Sequence, residues 1–153
     1  MTPANPRAWQ AGFTLLELLL AMSILAIVAG IFGFTLLGTY RANQVREAAS
    51  QLTGDLRQAR SEALKTGQSA SLTVAANSAA YTFTRAGTPQ TRTLPAGVTL
   101  TSVVGSSNVV YTAPTGTTGG NGAIWTLTSP GGTRSLKVKV IGITGKVMID
   151  ATN

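Results

Sequence analysis

The sequence contains no cysteine and no histidine. Without cysteine the chain can form no disulfide, offers no thiol nucleophile and has no site for lipoprotein acylation. Without histidine it lacks the commonest metal ligand and general base. Acids are scarce too: five, against 12 basic residues, for a net charge of +7. Past residue 40 they are Glu47, Asp55, Glu62 and Asp150. These are too few and too scattered for a paired-carboxylate mechanism or a calcium cage. The glycine-rich stretch Gly116–Gly122 lacks the Gly-Lys-Ser/Thr ending of a phosphate loop. The expectation is a protein that is not an enzyme and carries no cofactor or metal. The basic balance favours anionic partners such as nucleic acid or lipid headgroups, or simply a dilute basic surface that keeps the protein soluble.

What the sequence does have is a long apolar run. From Leu18 to Tyr40 there are 23 residues without a formal charge. As a helix at about 1.5 Å per residue they would span roughly 35 Å, against a hydrocarbon core of ~30 Å. The run is too long for the apolar part of a secretory signal, and no Ala-x-Ala site follows it. A membrane anchor fits better than a buried globular helix. One carboxylate, Glu17, stands at its head, where a charge is costly in lipid and calls for a function. The basic residues beyond the run, Arg41, Arg46 and Arg57, would by themselves weakly favour a cytoplasmic C-terminal side.

Beyond the anchor, small or apolar residues recur at Val45, Ala49, Leu52, Leu56, Ala59 and Ala63. These spacings of three and four trace one face of an amphipathic helix. Arg41, Arg46, Glu47, Arg57, Arg60 and Glu62 lie off that face. Lys65-Thr66-Gly67 reads as a helix stop. One helix from Phe13 to about Lys65 is therefore expected. It would comprise an apolar part to residue 40 and an amphipathic stem over 41–67.

From Gln68 the composition turns to Thr, Ser, Val and Gly. Alternation over Ser71–Val74 and Ala80–Thr84 predicts a hairpin turning at Asn77-Ser78. Further strands are expected at Gln90–Leu94, Val98–Val104, Asn108–Thr112, Ala123–Thr128, Ser135–Ile141 and Lys146–Ile149. Pro114–Gly122 reads as a mobile loop, a plain connector in preference to a binding loop. One or two small antiparallel sheets over 68–153, packed on the helix stripe, make this an α+β chain. The one cluster of positive charge is near the end. Lys137 and Lys139 alternate with Leu136, Val138 and Val140, with Arg134 before them and Lys146 after the Gly145 turn. Such a stripe could follow a phosphate backbone, or it could be edge-strand lysines that discourage aggregation.

Gly12-Phe13-Thr14-Leu15-Leu16-Glu17-Leu18-Leu19 closely resembles the class III signal of type IV pilins and type II secretion pseudopilins. Leu56–Gly67, containing Ala59-Arg60-Ser61-Glu62-Ala63, looks like the helix end of the GspH/FimT group of minor subunits. The resemblance implies a leader over residues 1–12 and cleavage by a prepilin peptidase between Gly12 and Phe13. It further implies N-methylation of Phe13 and a role for Glu17 in subunit assembly. It implies a pilin-like lollipop, a single-pass inner-membrane protein with its C-terminal domain outside the cytoplasm. The implied partners are the peptidase, other pilin or pseudopilin subunits and the membrane. Assembly would be into a type IV pilus or a type II secretion pseudopilus, with a place at the tip as one option. Some FimT-like minor pilins bind DNA through a basic C-terminal region. That resemblance makes Arg134, Lys137, Lys139 and Lys146 candidate DNA contacts in DNA uptake. An anchored β domain outside any filament is the remaining alternative.

Overall fold

A computed structural model of the protein describes residues 13–151 except Ala96 and Asn121. The expected leader, Gly12 included, lies outside the described residues. Among the described residues a single helix, α1 (Leu15–Thr66), is followed by nine strands: β1 (Ala70–Val74), β2 (Ala80–Arg85), β3 (Thr88–Thr93), β4 (Thr99–Gly105), β5 (Asn108–Thr112), β6 (Thr117–Thr118), β7 (Ala123–Thr128), β8 (Ser135–Val140) and β9 (Val147–Ala151). The chain is α+β, with the later part of α1 packed on antiparallel sheets. It divides at Gly38/Thr39 into two units, with α1 running through the boundary.

In the first unit α1 is apolar on every side, and its described side chains are exposed. Leu15 is 77% exposed and Ile27 66%. Its few hydroxyls turn back onto the helix. Ser23 Oγ donates to the Leu20 carbonyl at 2.8 Å, and Thr35 Oγ1 donates to that of Ile31 at 3.3 Å. The run therefore presents almost no unmet polar group to its surroundings, as a helix in lipid must.

The second unit holds the core. Val45, Ala49, Leu52, Leu56, Ala59 and Ala63 are all buried, as their spacing predicts, and Ala48 joins them. Gly67 ends the helix with φ +67°, the left-handed conformation that glycine adopts without a Cβ penalty. The stripe shares one hydrophobic core with two sheets, ordered β3-β2-β1-β5-β6 and β4-β7-β8-β9. Strand alternation decides which side chains enter it. Leu72, Phe83, Tyr111, Trp125, Leu127 and Val138 point inward and are at most 1% exposed. Trp125 adds a polar tie, its Nε1–H donating to the Ser106 carbonyl at 3.0 Å.

The strand expectations hold within one or two residues at each end. The 114–122 segment differs from a plain connector. It contains β6, which pairs with Tyr111 and Thr112 of β5. The Thr118 N–H donates to the Ile143 carbonyl at 3.1 Å, which ties the segment to the turn before β9. Backbone pairing of this kind leaves no local trace in a run of threonine and glycine.

Candidate assembly and interaction surfaces

The head of α1 is built by its own sequence. Phe13 and Thr14 precede the helix. Thr14 Oγ1 accepts the N–H of Glu17 at 3.2 Å, and the Thr14 carbonyl accepts that of Leu18 at 3.2 Å. Thr14 is thus the N-cap, and Glu17 occupies the third helical position. Together they form the Thr-x-x-Glu pattern of a helix start. Sequence reasoning singled out Glu17 and passed over this role of Thr14, although the spacing was there to read. Glu17 lies in the first turn, where the helix dipole favours a negative charge. It is exposed, and neither of the two ion pairs among the described residues includes it. Phe13 is 84% exposed, on non-helical backbone. The head therefore presents an exposed Phe13 and, four residues later, a carboxylate with no ion-pair partner among the described residues.

The basic residues near the C-terminus fall into a different pattern from a phosphate-binding stripe. Lys137 and Lys139 do share the outward face of β8, opposite buried Val138 and Val140. Their cross-strand neighbours differ. Lys137 stands between Thr126 and Asp150, Lys139 between Ile124 and Met148. Arg134 is exposed on the turn before β8, and Lys146 is exposed just before β9. An acid and two apolar side chains thus interrupt the positive row.

Two family models match the chain. The description of one is the prokaryotic N-terminal methylation motif, matched over residues 10–33. That of the other is type II transport protein GspH, matched over residues 48–144, more than half the chain. The chain belongs to the GspH family. No curated protein and no solved structure matches it. The two family matches make it a minor pilin or pseudopilin of the kind a prepilin peptidase processes.

The GspH match begins in the stem of α1 and ends before Lys146 and β9. Within it lies a polar junction between stem and sheet that sequence reasoning missed. Asp55 is only 6% exposed. Its carboxylate accepts from Arg92 Nη1 on β3 and from the Tyr81 hydroxyl on β2. Gln51 Nε2, one turn earlier, donates to the Tyr81 oxygen and to the Thr93 carbonyl, both at 3.0 Å. Arg92 also stacks over the Phe83 ring at 4.9 Å. Burial pushes the Tyr81 phenol well above its ordinary range, and the bond to the Asp55 carboxylate adds to the effect. Nearer the helix end, Glu62 pairs with Arg85 at 3.1 Å. This junction binds the helix to the sheets.

Proposed function

We propose that the chain is a structural, non-enzymatic subunit of a type II secretion pseudopilus. The peptidase cuts between Gly12 and Phe13, and Phe13 becomes the methylated terminus. The apolar half of α1 then holds the protein in the inner membrane as a single pass, with residues 41–153 outside the cytoplasm, until the helix enters the filament. The observation that carries this reading is the exposed apolar helix with, at its head, a carboxylate that has no ion-pair partner among the described residues. In lipid an isolated carboxylate is unfavourable by about 2.5–3.5 kcal/mol at mid-helix and less near the interface. A neighbouring subunit's new amine at Phe13 would remove that cost and set the stagger between the two helices. The GspH match favours secretion over a type IV pilus. A place at the tip follows only from the resemblance to minor subunits.

N-terminal sequencing of the chain isolated from membranes tests the first step. The expected first residue is Phe13; any other start overturns the cleavage site. Glu17→Ala tests the second. It should leave cleavage intact and lower recovery in sheared filaments by at least about tenfold, the equivalent of ~1.4 kcal/mol. Normal recovery would remove the assembly role from Glu17.

DNA uptake is the second reading, and it rests on Arg134, Lys137, Lys139 and Lys146. A duplex laid along this face would place phosphates beside Asp150 and would cover Ile124 and Met148 with nothing apolar in return.

A further inference from the structure

The outward face of the sheet β4-β7-β8-β9 carries an apolar patch around a single cation. Across the strands one row reads Val104, Ile124, Lys139 and Met148. Val104 is 58% exposed and Met148 45%, and Ile141, just past the end of β8, is exposed too. Val104, Ile124, Lys139 and Ile141 help to line an open groove of about 370 Å³ at this end of the sheet. Aliphatic side chains on an outer sheet face gain nothing from water, and a contiguous set of them marks an interaction surface. The lysine gives the surface a sign. Its two cross-strand neighbours are apolar, and it belongs to neither ion pair found among the described residues. Lys137, one pleat away, already faces Asp150.

We infer that this groove docks a segment of a different filament subunit, one that presents a carboxylate flanked by aliphatic side chains. The aliphatic groups would cover Val104, Ile124 and Met148. The carboxylate would meet Lys139 with water displaced from both sides, where a charge pair gives more specificity than on an open surface. Charge complementarity selects this occupant. A second copy of this chain is a poor fit: of its five acids, Asp55 and Glu62 are paired within the fold, Asp150 lies on the same face as the groove, Glu47 stands beside Arg46 on the stem, and Glu17 belongs to the helix contact proposed above. Nucleic acid would bring charge but no apolar surface. The inference rests on the pseudopilin reading and adds to it a contact made by the β domain, separate from the helix contact at Glu17.

The test is photo-cross-linking in cells that produce the full chain, with p-benzoyl-phenylalanine in place of Met148. The expected product joins position 148 to another subunit bearing an N-terminal methylation motif, within a mapped peptide that contains Asp or Glu among aliphatic residues. Lys139→Glu should lower its yield by at least about tenfold, and Lys139→Arg should keep it. The purified full-length chain in detergent is also titrated with a short labelled DNA duplex. A cross-link only to a second copy, to lipid or to nucleic acid, a yield indifferent to Lys139→Glu, or Lys139-dependent binding of the duplex would each overturn the inference. If the chain begins at Phe13 and enters filaments yet gives no such cross-link, this inference alone fails. If it is not processed, the filament reading fails with it.

Discussion

The two halves of α1 use similar residues to opposite ends. From Leu15 to Gly38 the helix is apolar all round and its described side chains are exposed. From Val45 to Ala63 it carries one apolar stripe, and every residue of the stripe is buried under the chain's own sheets. The first half must find its partner elsewhere, in lipid or in neighbouring helices, and the second has found it within the fold. Both stretches belong to α1.

Core substitutions should break this contrast most sharply. Trp125→Ala removes a fully buried side chain and its bond to Ser106, and should cost about 3–5 kcal/mol. Ile27→Ala, in the exposed half, should leave the unfolding midpoint of the β domain where it was. Denaturant titration of the full chain in detergent, followed by tryptophan fluorescence for Ile27→Ala and by circular dichroism for Trp125→Ala, reads both. Equal effects would mean that the two halves do not differ in what covers them.

Next in size is the polar junction. Asp55→Ala leaves Arg92 and Tyr81 without their shared acceptor on the stem. The expected loss is about 2–3 kcal/mol, since Arg92 stays partly open to water. The double variant Asp55→Ala/Arg92→Ala should recover part of it, and a double-mutant cycle measures the coupling. Additive losses would show that Asp55 and Arg92 are not coupled across the junction.

The smallest effect is at alkaline pH. Burial raises the Tyr111 phenol to about 12 from its ordinary 10.0. The unfolded chain therefore releases this proton first, and the folded state keeps it. Stability should be full below pH 10 and should fall as pH rises from 10 towards 12. Tyr111→Phe should flatten that decline, although Tyr81, shifted in the same direction, preserves a part. It would also lose the 3.1 Å bond from the Tyr111 hydroxyl to the Gly145 carbonyl. Gly145 itself shows how tightly this corner is packed. Its φ is +62°, and a Cβ there would lie 2.5 Å from the Tyr111 ring.

The helix and the strands were legible because each is set by local periodicity. The spacing of Val45, Ala49, Leu52 and Leu56 marks a helical face by itself, and alternation in Ala123–Thr128 or Ser135–Val140 marks a strand. The head motif at Gly12–Glu17 was legible because processing and capping depend on neighbours in the chain. Asp55 gave no such signal. An acid beside a buried stripe reads as solvated until the strands bearing Tyr81 and Arg92 are brought to it, 26 and 37 residues away. The lysines of β8 were found, but the meaning of their pattern depended on β7 and β9. Alternation says which way Lys139 points; only cross-strand register says that Ile124 and Met148 stand beside it while Asp150 faces Lys137.

The sequence by itself therefore determined the helix, its apolar and amphipathic halves, the order of the strands along the chain and the place of Glu17 at the helix head. These follow from interactions between residues a few positions apart. Tertiary structure decided how nine strands divide into two sheets, which acid is buried, and which neighbours give each lysine its surroundings. Those contacts join residues far apart in the chain, and no local pattern encodes them.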